Sequence, residues 1–104
     1  MKEFSKRIIK VIKKIPSGKV LTYGRVSNLA GSNNGARQVS RILHTCSTKH
    51  ELPWHRVINS KGKISLGKNS GYYVQQELLL SEDVIFENDK IDLDKFMWKA
   101  EGTF

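Results

Sequence analysis

The sequence predicts a single, mainly helical domain built around a helix-turn-helix, with short β-hairpins at its edge. Apolar residues near the N-terminus recur at helical spacing. Two further helical segments flank a tight Gly/Ser/Asn turn. Beyond them, short apolar runs are interrupted by turn residues such as Asn, Lys and Gly. At 104 residues the chain has room for one domain, spanning 1–104, and shows no internal repeat, linker or low-complexity stretch.

The first helix is expected from about Lys2 to Lys14. Phe4, Ile8, Val11, Ile12 and Ile15 form its apolar stripe, with Lys6, Lys10, Lys13 and Lys14 mostly off it. Pro16-Ser17-Gly18 stops it, and Val20-Leu21 is a short extended piece. Thr22 can cap a second helix, Tyr23 to Ala30, by accepting a bond from an orphan backbone N–H. Gly31 and Ser32-Asn33-Asn34 make the turn. A third helix follows from about Gly35 to His44, expected to bury Ala36, Val39 and Leu43. Arg37 and Arg41 stand one turn apart on it, with Gln38, Ser40 and His44 near them on the side away from Ala36 and Val39. A cationic, polar face on the second helix of such a pair is what insertion into a DNA groove requires, although an ordinary solvated helix face shows the same pattern.

Thr45 to Glu51 reads as a polar loop. Val57-Ile58 and Lys63-Ile64 flank Asn59-Ser60-Lys61-Gly62 as a hairpin would. A Gly/Ser/Asn loop from Leu66 to Gly71 leads to a fourth helix, about Gly71 to Leu80, expected to bury Val74, Leu78 and Leu79. Val84, Phe86, Ile91 and Leu93 alternate around Asn88-Asp89 as a second small hairpin, and Phe96 and Trp98 are expected to close a core edge.

The net charge is +8, unevenly spread. Up to Lys68 there are 15 Lys and Arg against two acids; beyond it, three Lys face eight acids. A surface built only for solubility would mix the signs, so the first two-thirds is expected to face a polyanion, nucleic acid first. A lone cysteine excludes an intramolecular disulfide and a cysteine-rich zinc cluster, and the three histidines complete no zinc signature. No segment reads as a membrane span or a secretory signal, so a soluble, cytoplasmic domain without metal or cofactor is expected.

The run Pro53-Trp54-His55-Arg56-Val57 resembles the Pro-Cys-His-Arg-Val motif of the O6-alkylguanine-DNA alkyltransferases, with tryptophan where the nucleophilic cysteine stands. That replacement is similar to the alkyltransferase-like proteins, lesion binders without transferase activity. Further motifs agree in order along the chain. Thr22-Tyr23-Gly24 resembles the opening of the family's first helix-turn-helix helix, and Gly35-Ala36-Arg37 the start of its recognition helix. Asn59-Ser60-Lys61-Gly62 resembles the turn after the motif, and Glu77-Leu78-Leu79 the Glu-x-Leu-Leu helix beyond it. The similarity spans about Phe4 to Leu80. The chain departs from the family at Ser40 and Arg41, where small residues are common, at Cys46, where the alkyltransferases have asparagine, and in a shorter Ser65–Asn69 loop.

The resemblance implies a winged-helix-like helix-turn-helix whose recognition helix enters the minor groove of duplex DNA containing O6-alkylguanine and rotates the damaged nucleotide out of the stack. It implies that Arg37 fills the vacated place and that Tyr23 holds the flipped nucleotide by its phosphate; Gln38, Ser40 and Arg41 are expected on the DNA face from their position on the third helix. Trp54, His55 and Arg56 would form the lesion pocket, with Arg56 alternatively a structural anchor of loops through its planar fork, and Lys68, which matches no family position, would add positive charge at the pocket's lip. His55 and Glu77 would be remnants of the relay that activates the missing thiolate. It also implies a monomer that flags damage to nucleotide excision repair proteins. Two other readings use the same residues: an alkyltransferase acting through Cys46, which lies near His44 and His50, and a sequence-specific helix-turn-helix regulator.

Overall fold

The computed structural model describes residues 2–100. Its elements are α1 (Glu3–Lys14), β1 (Leu21–Thr22), α2 (Tyr23–Leu29), α3 (Ala36–His50), a 3-10 turn (Trp54–Arg56), β2 (Val57–Ile58), α4 (Tyr72–Ser81), β3 (Phe86–Glu87), β4 (Lys90–Ile91) and α5 (Leu93–Phe96).

Helices α1, α2 and α3 pack on one another, as the apolar stripe requires: Ile8, Val11 and Ile12 are fully buried, with Val26 and Ala30 from the α2 segment and Val39 and Ile42 from α3. Thr22 caps α2 as expected, its Oγ1 accepting from Arg25 N at 3.1 Å. The turn between α2 and α3 is organised by buried Ser27, whose hydroxyl donates to the Ser32 carbonyl and accepts from Gly35 N at 2.8 Å. Gly35 has to be glycine here, because a Cβ would overlap the Phe4 ring and Ser27 Oγ. That close approach seats the start of α3 on α1.

Helix α3 runs six residues beyond the expected His44, through the segment read as a polar loop, to His50. Thr45 Oγ1 donates to the Arg41 carbonyl at 2.9 Å and the Ser47 hydroxyl donates to the Leu43 carbonyl, so hydroxyls that favour loops are here satisfied by the helix's own preceding turn. Glu51 closes it in the left-handed conformation, and Leu52 N bonds back to the Ser47 carbonyl. Ile42 is buried in place of Ala36, which is exposed, and Leu43 is half-buried.

Strand β2 does not pair with Lys63-Ile64. It pairs in parallel with β1, Leu21 opposite Val57 and Thr22 opposite Ile58. Asn59–Lys63 does turn back, with Asn59 N donating to the Lys63 carbonyl at 3.0 Å. The β1–β2 pair serves a purpose a local hairpin could not. Leu21 and Val57 point into the core of α1–α3, while neighbouring Val20 and Ile58 point the other way, into a second cluster with Leu79, Val84, Ile91 and Phe96. Two-residue alternation thus makes this pair a wall shared by two cores.

The second hairpin forms as expected. Asn88 and Asp89, with φ of 52° and 64°, make the two-residue turn between β3 and β4. Phe96 closes the second cluster and Trp98 packs against the first. Helix α4 buries Gln75 and Leu79, not Val74 and Leu78, which are exposed. Its polar residues Gln75, Gln76, Glu77 and Ser81 and its apolar residues are mixed around the helix, so spacing alone does not choose the inward face.

Candidate nucleic-acid interface and base pocket

The 3-10 turn Trp54–Arg56 lies between a charged cluster on one side and an open pocket on the other. The cluster is centred on Glu82, which follows the last residue of α4. His55 Nε2 lies 2.8 Å from Glu82 Oε2, and Arg56 Nη2 donates to the same oxygen at 2.7 Å. Arg56 Nε donates to Oε1 at 3.0 Å, Gly18 N donates to Oε1 at 3.1 Å, and Arg56 Nη1 reaches the Ile15 carbonyl at 2.8 Å. Burial alone would raise the Glu82 pKa, but the hydrogen bonds from Arg56, His55 and Gly18 outweigh it and hold the carboxyl at about 2. With Glu82 ionised, His55 Nε2 carries the hydrogen of this bond.

The carboxylate partner of His55 is therefore Glu82 and not Glu77, which sits on the exposed side of α4. The reason is topological. The α1–β1 connection brings Gly18 and Ile15 to the end of α4, and only a side chain leaving that end can reach both them and the turn. Gln75, one of the residues sequence reasoning missed, fixes the turn from the inner face of α4. It is 3% exposed, and its Nε2 donates to the His55 carbonyl at 3.1 Å and the Val57 carbonyl at 3.0 Å.

The pocket on the other side encloses about 560 Å³. Tyr23 comes to it from the start of α2, Trp54 from the turn, Gln75 from α4, and Leu66 and Ser70 from the loop before α4. Helix α3 supplies the largest share, including Arg37, Ser40, Arg41, His44 and Thr48. The extra turns of α3 are what carry this row past His44 to Thr48; the signal was already present in the one-turn spacing of Arg37, Arg41, His44 and Thr48, but only if the helix continues. The Tyr23 hydroxyl lies 3.0 Å from Ser65 Oγ, tying α2 to the loop at the pocket's lip.

Of the residues singled out from sequence, Tyr23, Arg37, Ser40, Arg41 and Trp54 converge on this pocket. Gln38 does not; its Nε2 bonds Ser5 Oγ at 3.3 Å and holds α3 to α1. His55 and Arg56 face the Glu82 cluster and so support the pocket instead of lining it. Lys68 is exposed on the loop and outside the lining. Cys46 packs against the first core and is not a lining residue either, so no thiol borders the pocket.

Among the described residues, the ion pairs formed by arginine use Arg7 and Arg56, while Arg37 and Arg41 stand exposed at the pocket without an acid. The same residues include no group of three or more His, Cys, Asp or Glu placed to hold a metal ion, and no helix long and apolar enough to cross a membrane.

A helix-turn-helix whose second helix carries arginines with no acid partner among the described residues, beside an open pocket, has the form of a nucleic-acid-binding module. A family model for the DNA-binding domain of 6-O-methylguanine DNA methyltransferase matches residues 3–84. The chain belongs to this family, in its alkyltransferase-like branch. It is 42% identical over 100 residues to a DNA base-flipping protein of Vibrio parahaemolyticus, covering 95% of this chain and 99% of that one. It is 36% identical over 105 residues to alkyltransferase-like protein 1 of Schizosaccharomyces pombe, covering 95% and 97%. The crystal structure of that S. pombe protein in complex with damaged DNA containing O6-carboxymethylguanine superposes with a TM-score of 0.85 at 35% identity, over 96% of this chain and 98% of the other.

Proposed function

We propose that this protein binds O6-alkylguanine in duplex DNA without repairing it. Helix α3 docks in the minor groove, Arg37 enters the stack in place of the damaged nucleotide, Tyr23 holds the rotated backbone, and the base enters the pocket against Trp54. The observation that carries the reading is the pocket itself: it has the volume of a small-ligand site, about 300–1,000 Å³ in general, its mouth holds uncompensated Arg37 and Arg41, and an indole stands where transfer chemistry needs a thiolate. The His55–Glu82 pair that would activate a nucleophile is present, but it serves the turn's geometry. The relatives whose names and structures record base flipping and damaged DNA support the same reading.

A lesion bound and left intact has value only if other proteins then act on it, so the complex serves as a flag for nucleotide excision repair proteins. A monomer in the cytoplasm, at the nucleoid in a bacterium, fits this role. A sequence-specific regulator would have no use for a pocket of this volume beside its recognition helix.

The test is a parallel titration of matched duplexes carrying guanine or O6-methylguanine at one position, followed by the mass of the recovered oligonucleotide. Tighter binding to the lesion with the methyl group still on the DNA is expected. Loss of the methyl group would make the protein an enzyme, and equal binding with no chemistry would leave a general DNA binder.

A further inference from the structure

Five of the large apolar side chains exposed among the described residues lie on α4 or just after it: Tyr73, Val74, Leu78, Leu80 and Ile85. Val74 is 57% and Leu80 49% exposed. On a helix, Tyr73, Val74, Glu77, Leu78 and Leu80 share one side, with Glu77 in the middle, while Gln75 and Leu79 face inward. An exposed helix surface with this many large apolar groups costs solubility, which is the ordinary signature of an interaction surface.

We propose that the outer face of α4 is a docking surface for an amphipathic helix of a partner protein, one whose apolar stripe carries a lysine or arginine at its centre. Charge decides the occupant. Glu77 sits inside the patch, and the acids Asp83 and Glu87 follow in the same acidic third of the chain. A second copy of this chain, packed face to face about a two-fold axis, would set Glu77 against Glu77, and like charges in a desolvated contact oppose association. A cationic residue on a foreign helix neutralises Glu77 while its flanking apolar side chains cover Val74, Leu78 and Leu80, the arrangement of helix-on-groove recognition.

The surface is also independent of the pocket. Gln75, which lines the pocket, lies on the opposite side of α4 from Tyr73 and Glu77, so a partner there leaves the mouth near Arg37 and Arg41 open. The proposal therefore holds whether or not the pocket takes a base.

The test uses the full chain and two synthetic helical peptides of about 16 residues. Both carry leucines at i, i+3, i+4 and i+7; one has lysine at the centre of the stripe and the other glutamate. The lysine peptide is expected to bind about fivefold more tightly, with amide shifts confined to Tyr73–Ile85, and Glu77→Lys is expected to reverse the preference. Val74→Ser with Leu80→Ser should abolish binding of both peptides and leave duplex DNA affinity unchanged. Equal binding of the two peptides, shifts elsewhere, or no binding overturns the proposal. Concentration-dependent self-association that Val74→Ser and Leu80→Ser remove would overturn it too, by making a second copy the occupant.

Discussion

On the Glu82 side of the Trp54–Arg56 turn, charges are matched: both carboxylate oxygens accept hydrogen bonds, and Arg56 extends its fork to a backbone carbonyl. On the pocket side, Arg37 and Arg41 have no acid among the described residues, and hydroxyl, imidazole and indole groups line open volume. The two sides are one turn of chain apart. Saturation on one side makes the backbone rigid, and that rigidity lets Trp54 hold its place on the other without bonds of its own to the pocket. In the same motif, His55 and Arg56 hold the turn while Trp54 lines the pocket.

The largest effect should come from breaking the matched side. Glu82→Ala strands Arg56 and His55 and is expected to cost about 3–5 kcal/mol in urea denaturation; Glu77→Ala should change stability by less than about 0.5 kcal/mol. If the two variants lose equally, the assignment of Glu82 as the partner fails. The contribution also depends on pH with a definite sign. A carboxyl lowered from 4.5 to about 2 stabilises the fold fully above 4.5 and loses that stabilisation as pH falls through about 2. The penalty of Glu82→Gln, measured across this window, should shrink as the pH drops.

A second, smaller loss should follow from Gln75→Ala, which leaves the His55 and Val57 carbonyls without this donor and is expected to cost about 1–3 kcal/mol. Because Gln75 touches both sides of the turn, this variant should also weaken lesion binding; a stable protein with unchanged lesion affinity would separate the two sides more sharply than proposed. The smallest effect on stability should come from the pocket side. Arg37→Ala should leave unfolding within about 0.5 kcal/mol while reducing the preference for O6-methylguanine over guanine by about tenfold. If plain and damaged duplexes weaken equally, Arg37 is a phosphate contact only.

Much of the helical half was legible from residues alone. The stripe of α1, the Thr22 cap and the Asn88-Asp89 turn are local: each depends on side chains within a few positions, and each formed as read. The motif around Trp54 was legible as well, and Tyr23, Arg37, Ser40 and Arg41, read as a DNA-binding face, border the same pocket; of the residues read as the lesion pocket, Trp54 lines it and His55, Arg56 and Lys68 do not. The contribution of Thr48 was hidden because the Thr/Ser-rich end of α3 has the composition of a loop, and its back-bonded hydroxyls are satisfied within the helix.

What the sequence determined by itself was therefore set by short-range physics: periodicity, capping and turn chemistry, plus a motif whose order along the chain is its own evidence. The tertiary structure alone decided which strand β2 would join, which side of α4 would turn inward, and which glutamate would meet His55. Each is a competition between candidates of similar local merit, Lys63-Ile64 against Leu21-Thr22, Val74 against Gln75, Glu77 against Glu82. Such ties are broken by where the rest of the chain has already been placed. Here the β1–β2 wall needed a face for each core, and the end of α4 was the point at which Gly18, Ile15, His55 and Arg56 could share one carboxylate.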